Sequence, residues 1–183
     1  MDLYTIFKFL HVAAAMAWIG GGVTLFAMGM FAASRKDEAE MMHVLGSVGF
    51  MANRWFVPAS LATLVFGIAM ATLGGLWGQA WVVLGLLGFA ATFCTGHFVL
   101  RIKAMEAGAL MGEDRVSEAA AVGRKLMQVA KFDYAMLFTV VALMVFKPAW
   151  TDFVTLGLAA AVLLAAGWFF LAGGLRRDET VPA

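Results

Sequence analysis

The side chains able to do chemistry in this sequence are few, and most lie inside apolar runs. His11 stands near the start of a run that reaches Ala33, followed by Trp18 and by Gly20, Gly21 and Gly22. Arg54 opens a second run, and His97 ends a third, four positions before Arg101. Lys131 and Asp133 enter a fourth, which Lys147 and Pro148 close. An ionisable side chain in such surroundings is costly without a partner or a polar pocket. Neutral imidazole suits haem iron or a metal, carries a proton, or simply bonds a carbonyl, so all four readings of His11 stand. A bare aspartate calls for a cation, and Arg54 and Lys131 are the ones predicted at the level of Asp133. The 13 methionines, Met28 and Met30 or Met41 and Met42 among them, fit copper handling or plain packing.

Composition decides what carries these residues. Of 183 residues, 63% are hydrophobic and 14% charged, too little charge to coat a soluble core. A net charge of +1 suggests no nucleic-acid partner. The single cysteine, Cys94, excludes an intramolecular disulfide and a cysteine-rich metal site. Asp2 precedes Lys8 and the first apolar run is too long for a signal peptide, so the N-terminus is expected to be retained.

Five runs are long enough to cross a bilayer, near 8–33, 54–76, 80–101, 128–148 and 152–174. The expected fold is therefore all-α, one polytopic transmembrane bundle over 1–183 with five helices. Ser34 to Asn53 reads as a connection, charged at first and amphipathic later. Gly74 to Gln79 reads as a tight turn. Lys103 to Gln128 reads as a third connection whose helical pattern runs straight into the fourth span. Lys147-Pro148 should stop that span, and the tail from Leu175 should be frayed.

Orientation follows from the basic residues. Eleven of the 13 lysines and arginines fall on one side, in the first and third connections, their flanks and the tail. Only Lys8 and Lys147 fall on the other. The positive-inside rule puts the N-terminus outside and the C-terminus in the cytoplasm. Trp77, Trp81 and Trp150 then form an outer aromatic belt. By helical rise, His11 is expected at the outer edge of the membrane, about 36 Å from Arg35, and His97 near the inner boundary. Two polar sites follow: an outer one around His11, Lys8, Lys147, Trp81 and Trp150, and an inner one around Arg54, His97, Arg101, Lys131 and Asp133.

Some of these residues match known families. Phe9-Leu10-His11-Val12, with Trp18 and Gly20-Gly21, resembles the first span of HemJ-type protoporphyrinogen oxidases and CopD-type copper-resistance membrane proteins. Arg54-Trp55-x-Val57-Pro58-Ala59, with Leu64-x-x-Gly67, resembles the HemJ second span, and Trp81 to His97 is similar to the third. Leu143-Met144-Val145-Phe146-Lys147-Pro148 resembles an uncharacterised bacterial membrane family related to both. The HemJ resemblance implies haem b held by the first-span histidine and by a lysine early in the third span. His11 matches that histidine. Trp81 to Gly85 holds no lysine, and Lys147 is at a suitable depth to stand in for it. The CopD resemblance implies outer-face copper ligands, of which His11 alone is present.

The expectation is a haem b-binding protein of the bacterial inner (cytoplasmic) membrane, acting in electron transfer or redox chemistry. His11 would be its axial ligand, Trp18 would pack on the ring, and a quinone or porphyrin would be its partner, besides lipid. The alternatives are an accessory subunit packed against other membrane subunits or a second copy, and copper handling through His11 and methionines. The basic-residue split predicts that a reporter active only in the periplasm, fused to the C-terminus, gives no signal; a strong signal would reverse the orientation.

Overall fold

The computed structural model describes residues 2–35 and 38–172. Lys36, Arg176, Arg177 and the tail from Leu175 lie outside the described residues, as do the side chains of Met42 and Leu45. Seven α-helices follow in order: α1 (Leu3–Arg35), α2 (Glu38–Met51), α3 (Val57–Leu73), α4 (Ala80–Cys94), α5 (Arg101–Gly112), α6 (Val116–Phe146) and α7 (Phe153–Ala166). Three π-helical turns continue them, at Ala52–Phe56, Thr95–Leu100 and Gly167–Ala172. The resulting rods are five helices long and apolar enough to cross a membrane: Leu3–Arg35, Ala39–Leu73, Ala80–Gly112, Val116–Phe146 and Phe153–Leu171.

The expected connections are themselves largely helical. From Glu38 on, the first connection is helix; α2 runs through the π turn at Ala52–Phe56 into α3. Likewise α5 prolongs the third span, and a turn at 113–115 leads into α6, which runs unbroken into the fourth span. The reason is length. A rod of 33 or 35 residues measures about 50 Å, against a hydrocarbon core of about 30 Å, so the first four spans overshoot it. Arg35, Glu40, Lys103, Glu106, Arg124 and Lys125 sit on helix that no longer needs to be apolar. Arg115 ties the short turn by bonding Glu113 and Glu118, and these carboxylates push its guanidinium pKa up.

The stops lie where local chemistry puts them. Gly75 takes a positive φ of 61° in the turn after α3. α6 ends at Phe146, Lys147 takes a φ of 49°, and Pro148 is fully buried behind it. Asp2 Oδ1 accepts the Thr5 N–H at 2.7 Å, and Asp152 Oδ1 accepts the Thr155 N–H at 3.1 Å. Both carboxylates cap the helix that follows, and these bonds hold both below the usual carboxylate range.

The chain divides into two compact units. One is Met1–Trp77 with Lys103–Gly123; the other is Gly78–Ile102 with Arg124–Ala183. In the first, α1 lies along α3, with Phe7 against Phe66, their ring centroids 6.1 Å apart. Ala32, Val44, Ala104, Ala107 and Ala119 are buried there at 5% exposure or less, so small side chains set its helix spacing. In the second, α4 and α6 run antiparallel, because Gly85 faces Met144 and Gly88 faces Val140. A Cβ at either glycine would collide with that neighbour. Met144 meets the site with its flexible end, whereas Val140 is stiff at χ1. Gly88→Leu is therefore expected to destabilise by about 1–3 kcal/mol, and Gly85→Leu by less. Melting in detergent checks this, and the reverse order would be wrong for the packing described.

Candidate functional site

His11 lies on α1 and is half-buried. Its Nδ1 is 2.7 Å from the carbonyl oxygen of Thr63 on α3. A carbonyl only accepts, so Nδ1 carries the hydrogen and donates it, and the neutral ring keeps Nε2 as its acceptor or ligand atom. A metal-bound histidine is normally held in this way, by a bond from its other nitrogen to a carbonyl or carboxylate. No hydrogen bond to Nε2 occurs among the described residues.

Three residues of α3 make the seat. Thr63 supplies the carbonyl while its own hydroxyl bonds Ala59 O at 2.9 Å. Gly67, one turn on, faces the ring edge, where a Cβ would be 3.1 Å from both Cε1 and Nδ1 of His11. Ser60, at 2% exposure, belongs to the same small-residue face. Gly67 was legible from the sequence through the spacing Leu64-x-x-Gly67. Thr63 was not, since nothing marks a threonine whose backbone is the partner.

His11 lies in the first third of α1. It is eight residues from the start of α1 at Leu3, about 12 Å of rise. Its partner Thr63 lies midway along the charge-free stretch from Trp55 to Leu73. Lys8 is one turn from His11 and exposed. Trp18, seven positions on and half-buried, shares its side of α1. Gly20 faces open space, but Gly21 does not: its position meets Trp55, whose Nε1–H donates to Ala17 O at 3.0 Å. Gly21 therefore serves helix contact, while Gly20 leaves room.

Arg54, in the first unit, is exposed with its guanidinium over Phe50, 4.5 Å from the ring centroid. The remaining predicted residues belong to the second unit. Lys147 is exposed and holds its ammonium 5.3 Å from the centroid of Trp81, a cation–π contact. Trp150 donates its Nε1–H to Gly78 O at 3.0 Å. His97 lies within the π turn Thr95–Leu100, stacked on Phe93 at 6.1 Å and edge-on to Phe98 at 4.9 Å. Asp133 is 8% exposed. It takes part in none of the ion pairs found among the described residues. Lys131, two positions away on α6, points to a different face. The inner group is thus not joined by an ion pair within the second unit. Among the described residues, no three or more of His, Cys, Asp and Glu come together as a metal site.

Gly67→Leu is expected to displace the His11 ring and lower the melting temperature in detergent. Gly20→Leu, facing open space, should leave it nearly unchanged. Equal losses would argue against a seat at Gly67.

One family model matches residues 5–148, described as "Predicted integral membrane protein (DUF2269)". That stretch holds α1 to α6 and leaves α7 outside. No curated protein and no solved structure matches the chain.

Proposed function

The chain belongs to that family of predicted integral membrane proteins, and on this premise we propose that it binds haem b, with His11 as axial ligand, in electron transfer or redox chemistry. The observation that carries the reading is the bond from His11 Nδ1 to Thr63 O. It fixes the tautomer and the ring plane and keeps Nε2 available. Gly67 lets the Nδ1–Cε1 edge of the ring come up against α3, so the imidazole is held by backbone rather than by a mobile side chain. Lys8, one turn towards the α1 N-terminus, offers a cation to a propionate. Trp18 offers an aromatic face to the ring. Haem so held would supply one-electron chemistry, with a quinone or porphyrin as the exchange partner. In this reading the N-terminus is outside, the C-terminus cytoplasmic and the membrane the bacterial inner one.

Copper handling has less support, because His11 gathers no second histidine, cysteine or carboxylate into a group of three among the described residues. The accessory-subunit reading has one observation in its favour: the same His11 bond also serves as a plain clamp between α1 and α3. The two part in one experiment. Purified wild-type protein is expected to show a Soret band. His11→Ala should abolish or strongly shift it, and His97→Ala, whose ring is engaged by Phe93 and Phe98, should leave it largely intact. A protein free of haem when purified, or loss of haem in His97→Ala alone, would falsify the assignment.

A further inference from the structure

Two arginines of the first unit are left over from the packing already described. Lys103 pairs with Glu106, and Arg115 with Glu113 and Glu118. Arg35 and Arg54 join no ion pair among the described residues. Each instead sets its guanidinium over the phenylalanine four positions back, Arg35 at 4.3 Å from the Phe31 centroid and Arg54 at 4.5 Å from that of Phe50. The acids of α2, Glu38 and Glu40, stand at least 14 positions from Arg54, about 21 Å of helical rise.

The two arginines differ in depth. Trp55 to Leu73 is a charge-free stretch of 19 residues, about 28 Å long, which nearly matches a hydrocarbon core of about 30 Å. Arg54 therefore stands at the edge of the hydrocarbon. Long side chains on a helix point back towards its N-terminus, so the guanidinium reaches out of the apolar layer to Phe50, which is 63% exposed. Gly21 of α1 is level with Trp55 and Phe56, and α1 runs antiparallel to α3. Arg35 lies 14 positions beyond Gly21, about 21 Å further from the membrane.

Beyond Arg54 a shallow groove of about 550 Å³ runs along α2, lined by Ala39, His43, Gly46, Ser47, Phe50 and Met51. Spacings of three and four residues put this lining on one face of the helix. A Cβ at Gly46 would meet nothing within 4 Å, so the floor of the groove is open there. Ser47 Oγ donates to His43 O at 2.8 Å, which leaves its oxygen able to accept from a group outside the chain. A second copy suits this face badly. A two-fold axis along the membrane normal would set Arg54 against Arg54, with no carboxylate at that level of α2 to separate them.

We propose that this face holds an anionic phospholipid, its phosphate on Arg54 and a hydroxyl-bearing headgroup, as in phosphatidylglycerol, laid over Phe50 towards Ser47. Charge sets the sign, because a guanidinium without a carboxylate takes phosphate as a bidentate partner. Depth sets the source, because a phosphate at the hydrocarbon edge is one that carries acyl chains, and the half-exposed Trp55 stands at that edge as interfacial aromatics do. Distance sets the headgroup: Ser47 is three positions beyond Phe50, about 4.5 Å of rise, within reach of a glycerol head. The site makes no use of His11 and does not rest on the haem reading.

Native mass spectrometry of the full chain in detergent tests this, with dioleoyl phosphatidylglycerol and dioleoyl phosphatidylcholine added in turn. Wild type should retain phosphatidylglycerol in preference to phosphatidylcholine. Arg54→Gln should weaken that binding about fivefold. Gly46→Leu, which fills the open floor, should weaken it while leaving the melting temperature unchanged. Arg35→Gln removes the same charge from about 21 Å further out, where screening cancels it, and should bind as wild type does. Equal retention of the two lipids overturns the proposal, and so does an equal loss in Arg35→Gln and Arg54→Gln. Displacement of the lipid by an equal concentration of glycerol 3-phosphate would make the ligand a soluble phosphate, and a dimer that Gly46→Leu dissolves would give the face to a second copy. Either result also overturns it.

Discussion

A hydrocarbon surrounding offers no hydrogen bonds, so every polar group in a span must find its partner inside the chain. The backbone meets this demand by being helical almost throughout. Side-chain hydroxyls meet it in the same economical way. Thr24, Thr63, Thr72, Thr95 and Thr139 each donate to the carbonyl four residues back, and Ser60 to the one three back. These groups are self-contained and place no demand on a neighbouring helix. Against that background the exceptions stand out: His11 and Trp55 bond across from one rod to another, while Asp133 and Thr92 Oγ1 bond nothing among the described residues.

The cross-rod bonds depend on small residues. Gly67 admits the His11 ring and Gly21 admits the Trp55 indole, so α1 and α3 approach closely enough for each ring nitrogen to reach a carbonyl. In lipid the hydrophobic effect does little to hold helices together, and close contact with interhelical bonds takes its place. The same logic gives Gly85 and Gly88 their role opposite Met144 and Val140. Large apolar residues such as Phe9, Met16, Phe153 and Leu164 are left at 70% exposure or more, as suits side chains that meet lipid.

The five spans were legible because apolar length is a strong signal, and the stop at Lys147-Pro148 because proline cannot continue a helix. The helical pattern before the fourth span was legible too, and α6 runs unbroken through it; the helix of the first connection was not. The charges from Arg35 to Glu40 end an apolar run, and the end of an apolar run was taken for the end of the span, whereas only Lys36 and Asp37 separate two described helices. The π turns had no signal in the sequence, since they change hydrogen-bond pitch and not composition. The ion pair expected for Asp133 rested on depth alone, and two residues at one depth need not share a face. Lys131 and Asp133 show this within a single helix.

An acceptor for a cross-rod bond need not lie outside the helical ladder. In the first unit the acceptor is Thr63 O, within α3, and it receives the His11 hydrogen in addition to its helical role. A carbonyl has two lone pairs and tolerates this double use. The first unit thus draws on backbone oxygen already in the ladder to hold the imidazole, and His11 Nε2 stays outside the ladder.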